Sequence, residues 1–396
     1  MNYSDSGNFI NRELSWMEFN SRVLAEARDK SIPLFERLKF LSITSSNLDE
    51  FVMIRVASLN DMVNAGYNKK DIAGLTPKQQ LELISSKEHE FVNLQYSTFN
   101  RSLIPQLEKN NLIFVKSYEA LDEKQNEFVD QYFMNEIYPV LTPMAVDSSR
   151  PFPLIRNKTL NLASLMRKKN GDKELEFATV QVPVLTRIVE IPSSEKNKRM
   201  VILLEEIIEK NIQKLYLNYH VIATHPYRIM RNADFEIDEE EVADLLQEIQ
   251  RQIKKRQWGE AIKLEVQDDM DKRLIKILKK NLNIADDDIY YINGPLDLTF
   301  LMKVYGLDGF EHLKHPKYTP QQLPELMDDA DIFARIREHD ILLHHPYDSF
   351  EHVVDFVRQA AKDDKVLAIK QTLYRVSGNS PIIASLAEAA ERGKQV

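Results

Sequence analysis

The sequence predicts a multidomain α+β protein: a helical bundle, then a mixed strand-and-helix region, then the start of an α/β unit. Three observations carry that reading. Residues 1–108 repeat apolar side chains at helical spacing. Residues 109–320 interleave strand-like runs with amphipathic helices. From 321 to 396 the chain reads strand, helix, strand, helix and then the first residues of another strand, the order that builds a parallel sheet. Ending one residue into a new strand is the expectation for an N-terminal fragment of a longer protein, truncated within its third domain.

The helical region takes its elements in turn. Asn11 is expected to cap the first helix, with Glu13 in the first turn. Trp16, Phe19, Val23 and Ala27 form its apolar stripe, flanked by Met17 and Leu24. Pro33 opens a second helix carrying Leu34, Leu38 and Leu41. A third is expected to carry Leu48, Val52, Val56, Leu59 and Val63, and residues 64–75 form a loop. Thr76, Pro77 and Gln79 make a capping-box start to a long helix through Ile84, Phe91 and Phe99, which Pro105 kinks or ends. Four amphipathic helices with connecting loops predict an antiparallel bundle.

In the second region, residues 161–168, 175–183 and 220–230 read as strands. Residues 240–257 read as a helix with acids early and bases late, and 269–282 as another. Three prolines within 315–324 mark a linker. In the third region, strands are expected at 340–346 and 365–376, and helices at 349–363 and 380–393.

Composition narrows the function classes. A chain of 396 residues predicts two or three domains, and 43% hydrophobic residues suffice for sizeable cores. The absence of cysteine excludes disulfides and thiolate metal sites and fits a reducing compartment. A net charge of −9 argues against a general nucleic-acid binder. The first residues lack a signal-peptide pattern, and no apolar run approaches the roughly 18 residues of a membrane span.

Two residues stand out as candidates for chemistry. Arg375 is placed at the carboxyl end of the expected strand 365–376, where open α/β sheets bind ligands. The following loop leads to a helix with Ser380 as cap and Pro381 in its first turn. An arginine fork beside a helix N-terminus matches phosphate; pairing with a surface carboxylate is the bland alternative. Asn47, in SSNLDEF (45–51), has two compatible readings. It caps a helix, with Glu50 reaching back, or its amide meets a nucleotide. His344 and His345, adjacent on an expected strand, point to opposite faces and cannot share one metal. Asp348 or Ser349 is expected to cap the next helix, and the His225–Pro226 pair reads as a strand end. There is no P-loop, no kinase glycine loop and no Ser-His-Asp set.

Several segments together resemble the type 1 polyphosphate kinase family. These are FINRELSWMEFNSRVLAEA (9–27), PLFERLKFLSITSSNLDEFVMIRVASL (33–59), YFMNEIYPVLTPMAVDSSRPFP (132–153) and YRIMRNADFEIDEE (227–240). GPLDLTFLMKV (294–304), LLHHPYDSF (342–350) and VLAIKQTLYR (366–375) continue the same order across nearly the whole chain. The resemblance implies reversible transfer of the terminal phosphate of ATP to inorganic polyphosphate, with Mg2+ and a phosphohistidine intermediate. It implies a helical N-terminal domain (1–108), a head domain (109–320) and the start of a phospholipase D-like domain (321–396). By motif, Asn47 matches the family's ATP-binding asparagine, and Arg375 an arginine of its magnesium-phosphate site. Arginine cannot ligate a cation, so Arg375 is expected to contact phosphate oxygens around the metal.

The family's nucleophilic histidine is expected beyond Val396, so none of the nine histidines in view is nominated as catalytic. ATP, ADP and polyphosphate are the implied partners, with a basic path that must be local given the net negative charge. A homo-oligomer in the cytoplasm, or peripheral at the membrane, is implied as well. The alternative from another class is a non-catalytic polyanion-binding or assembly module. A downstream strand followed by His-x-Lys would separate the two.

Overall fold

In a computed structural model, the described residues are 4–116, 118–146, 151–169, 174–193, 195, 197–233, 259–327, 331–376 and 378–396. The chain divides into two compact units, Met1–His315 and Pro316–Val396.

Helix α1 (Arg12–Arg28) starts as expected, with Asn11 Oδ1 accepting from the Leu14 amide at 2.9 Å. Its buried row is Glu13, Met17, Asn20, Leu24 and Ala27, whereas Phe19 is 46% exposed. The expected stripe is therefore displaced by one position. Neighbouring rows of a helix share the same spacing, and a polar Asn20 in the buried row hides it from a hydropathy reading.

Helix α2 (Leu34–Phe51) corrects a larger expectation. It runs without a break through Asn47, passes one π-helical turn (Val52–Val56) and continues into α3 (Ala57–Asn64). No glycine or proline interrupts residues 34–64. The amide groups that a cap at Asn47 would have satisfied are already bonded along the helix, so the predicted capping box does not form. The fourth helix, α4 (Pro77–Thr98), has its capping box: Gln79 N donates to Thr76 Oγ1 at 3.3 Å and Thr76 N to Gln79 Oε1 at 3.0 Å. Pro105 does not end the helical run. A π-helical turn (Phe99–Leu103) precedes α5 (Ile104–Lys109), and the wider turn makes room for the ring.

Among the described residues nine strands follow: β1 (Leu112–Phe114), β2 (Met144–Val146), β3 (Leu160–Lys168), β4 (Leu175–Gln181), β5 (Ile188–Ile191), β6 (Arg199–Leu203), β7 (Tyr219–Arg231), β8 (Ala261–Gln267) and β9 (Ile289–Ile292). They make a three-stranded sheet, β1-β6-β5, and a six-stranded sheet, β2-β4-β3-β7-β8-β9. The sequence anticipates β3, β4 and β7. Most of the others span three to five residues, too few to display a period. Parallel strands β8 and β9 are joined through the helix Lys272–Leu282, capped by Asp271, whose Oδ1 accepts from Arg273 N at 2.8 Å. The helix expected at 240–257 lies outside the described residues.

The bundle helices and several strands share a buried cluster. Phe35, Leu38 and Leu41 of α2 pack in the same cluster as Leu112, Val201, Met230 and Ile292 of the strands. Full burial of each such side chain stabilises by roughly 1.5–3 kcal/mol. Position 225 is also corrected: His225 lies within β7 rather than at its end.

The second unit keeps its helices and lacks the expected strands. Helices Ile332–Glu338, Glu351–Lys362 and Pro381–Glu391 form, and Val354, Val357 and Ile382 make a small core. Residues 340–346 are an irregular run entering a turn, and 365–376 has one bridge, Ala368 with Gln395. Leu367 is 81% and Tyr374 99% exposed, so beyond that one bridge the second expected strand does not form and is not buried. A strand needs partners along its length, and the described residues offer this one only the segment at 394–396.

Candidate nucleotide and phosphate site residues

Asn47 sits partly exposed on the interior turns of α2. Its Nδ2 donates to Oδ1 of the fully buried Asn20 at 3.2 Å. Asn20 Nδ2 in turn donates to the Thr44 carbonyl at 3.1 Å. Thr44 Oγ1 donates to the Leu41 carbonyl at 2.7 Å and accepts from Gln95 Nε2 of α4 at 2.8 Å. Three helices thus hold one amide. Sequence reasoning found Asn47 and missed Asn20, Thr44 and Gln95. A polar residue in an apolar helical row was the available signal for Asn20.

Two residues beyond Asn47, Asp49 faces the sheet and meets Arg228 of β7. Arg228 Nη1 donates to Asp49 Oδ1 at 3.0 Å and to Glu265 Oε2 of β8 at 2.9 Å, and Nη2 donates to Asp49 Oδ2. Lys158 Nζ adds a contact to Asp49 at 3.1 Å. The Arg228 side chain is 1% exposed, and its Nε has no hydrogen-bond partner among the described residues. Burial works to lower the guanidinium pKa, but the carboxylates of Asp49, Asp297 and Glu265 outweigh it and hold it well above its ordinary value. Burial likewise opposes ionisation of Glu265, yet Lys263 and Arg228 keep its pKa below the usual carboxylate value. Lys263 Nζ reaches Glu88 of α4 at 2.8 Å and Glu265 at 3.1 Å, over the ring of Tyr290. This network ties the segment carrying Asn47 to the sheet through charge pairs that, Lys158 apart, are buried and so weakly screened. Separations of more than 170 residues leave no local trace in the sequence.

Beside Lys263 and Tyr290 lies a cavity of about 430 Å³ with Glu82, Glu88, Asp287 and Asp288 in its walls. Burial, then the charges of Glu88 and Asp287, pushes the Asp288 carboxyl up to about 6. A lining this acidic repels an anionic ligand.

In the second unit, Arg375 is exposed in a bend, and its guanidinium has no ion pair or hydrogen bond among the described residues. The expected strand end beneath it does not form. Ser380 occupies the cap position of Pro381–Glu391, but its side chain makes no capping bond. His344 and His345 lie at a turn rather than on a strand. There the Asp348 carboxylate accepts from the His344 amide at 2.6 Å, and His345 Nδ1 is 3.0 Å from the Asp348 carbonyl. Ser349 Oγ accepts from Glu351 N at 3.2 Å, but the cap position of Glu351–Lys362 is Phe350, so neither Asp348 nor Ser349 takes the expected place. Asn47 and Arg375 belong to different units, and each is placed within its own.

Three family models match in succession. The polyphosphate kinase N-terminal domain matches residues 9–115, the polyphosphate kinase middle domain 124–304, and polyphosphate kinase C-terminal domain 1 residues 331–396. The chain belongs to the polyphosphate kinase family. It is 51% identical over 393 residues to the polyphosphate kinase of Halalkalibacterium halodurans, covering 98% of this chain and 56% of that one. It is 50% identical over 398 residues to that of Lactiplantibacillus plantarum, covering 100% and 55%. The crystal structure of polyphosphate kinase from Porphyromonas gingivalis aligns with a TM-score of 0.80 at 27% identity, over 98% of this chain and 55% of that one. The chain spans about half the length of the curated relatives it matches. Within the matched blocks, Asn47 lies in the N-terminal domain and Arg375 in the first C-terminal domain.

Proposed function

We propose that the protein, at its natural full length, reversibly transfers the terminal phosphate of ATP to inorganic polyphosphate. The observation that carries this reading is the ordered match to three consecutive polyphosphate kinase domains. In the proposed reaction a histidine nitrogen attacks the γ-phosphorus, the bond to the β,γ-bridging oxygen breaks, and ADP leaves. The terminal oxygen of polyphosphate then takes the phosphoryl group and frees the histidine, splitting one difficult transfer into two. That histidine is assigned to sequence beyond Val396, so residues 1–396 alone are expected to be inactive. Cytoplasmic location and homo-oligomerisation belong to the same proposal.

Asn47 is assigned to the nucleotide and Arg375 to phosphate oxygens. The exposed, unpaired fork of Arg375 supports its part, because it is free to take two phosphate oxygens at once. Among the described residues no three His, Asp or Glu side chains are grouped to hold a metal. Magnesium is therefore assigned to enter with the phosphates of the nucleotide rather than to a preformed cluster of these side chains.

The test is steady-state polyphosphate synthesis by the full-length protein at saturating ATP and magnesium. Arg375→Lys is expected to lower turnover by about 10²-fold, as loss of a preorganised transition-state donor does, with an unchanged melting temperature. Near-normal turnover of the lysine variant would remove Arg375 from the reaction. Labelled phosphate from ATP on a histidine of residues 1–396 alone would overturn the placement of the nucleophile.

A further inference from the structure

We infer that Asn20 is the positioning residue of Asn47, turning its amide so that the carbonyl oxygen faces the ligand. This rests on the reading of Asn47 as the nucleotide-binding asparagine. The orientation follows from one group that cannot change roles. The Thr44 carbonyl only accepts, so the atom of Asn20 at 3.1 Å from it must be Nδ2. Oδ1 of Asn20 then points the other way, to the Asn47 amide at 3.2 Å. Because Oδ1 only accepts, Asn47 must turn its NH2 inward. Asn20 is 0% exposed, which keeps water from substituting for either bond. The Asn47 Oδ1 carries no hydrogen bond among the described residues.

An asparagine amide without such support presents donor and acceptor with almost equal shape. Here the backbone of α2 settles the choice through Asn20 on α1. The site therefore offers an acceptor and selects a nucleotide group that donates: the exocyclic amine of adenine or a ribose hydroxyl. A purine with a 6-oxo group would set acceptor against acceptor at the same place.

The experiment measures KM and kcat of the full-length protein with ATP, inosine triphosphate, and the 2′- and 3′-deoxy analogues of ATP. The variants are Asn20→Leu, Asn47→Ala and the double substitution. Asn20→Leu is expected to raise KM for ATP about 3- to 10-fold, the range of one lost hydrogen bond, with kcat held. It should also erase the penalty for whichever analogue lacks the donor: the inosine nucleotide if the donor is the amine, a deoxy analogue if it is a hydroxyl. In the Asn47→Ala background it should add nothing, because its effect passes through Asn47. The inference is overturned if Asn20→Leu raises KM equally in both backgrounds, or leaves analogue discrimination intact while Asn47→Ala abolishes it. In either case the reading of Asn47 survives. If Asn47→Ala changes no KM, that reading fails and takes the inference with it. KM values and their ratios do not depend on the folded fraction. Asn20→Ser, too short to bridge both partners, carries the same test if leucine prevents folding.

Discussion

Strand β7 and the segment 365–376 are similar as sequences and different in space. Both mix β-branched and aromatic residues over a dozen positions. The strand pairs with β3 on one side and β8 on the other, and Tyr227 and Ile229 are fully buried. The segment has one bridge and stands largely exposed. The helices on either side of it, Glu351–Lys362 and Pro381–Glu391, form regardless. A helix satisfies its backbone from within, whereas a strand depends on residues distant in sequence. Local pattern therefore predicts helices in both units, and predicts strands only where partners are at hand.

Electrostatics sharpens the contrast. In the first unit Arg228 joins Asp49 and Glu265 with its side chain 1% exposed. In the second unit Arg358 joins Asp355 and Glu351 with its side chain 42% exposed. Arg228→Met removes the buried guanidinium between two carboxylates, leaving Asp49 only Lys158 and Glu265 only Lys263, and is expected to cost about 3–5 kcal/mol. Arg358→Ala is expected to cost less than about 1 kcal/mol, since water screens the pair. Denaturant unfolding of each variant measures both, and equal costs would break the comparison.

A smaller effect concerns pH. Burial first, then the charge of Glu205, raises the Glu206 carboxyl to about 7; burial, then Glu206 and Asp269, raises Glu209 to about 8. Both folded values lie above the unfolded one, so the native state holds more protons than the unfolded state across the interval between them. Stability is then highest below the unfolded pKa of about 4.5 and falls as pH rises toward about 8. Replacing both with glutamine should flatten the profile over that window in chemical denaturation, and an unchanged slope would refute the assignment.

How much was legible follows the same division. The Asn11 cap, the Thr76–Gln79 box, β3, β4 and β7 were readable because a cap is local and a long strand shows its period. The break expected at Asn47 was wrong because a Ser-Ser-Asn run resembles a cap even when the helix continues through it. Asn47 was singled out, but its orientation depends on Asn20, Thr44 and Gln95, which no spacing rule connects. Arg375 was likewise singled out, on a strand that does not form.

The most direct test of this account is amide hydrogen exchange on residues 1–396. Exchange reads, residue by residue, whether a backbone N–H has a lasting partner. Tyr227–Arg231 of β7 should be protected by a factor of about 10³ or more, as core strands are, while 366–375 should exchange within about tenfold of the unprotected rate. The helix Glu351–Lys362 should fall between them. Protection of 366–375 equal to that of β7 would mean that the segment finds strand partners within residues 1–396, and would contradict the account.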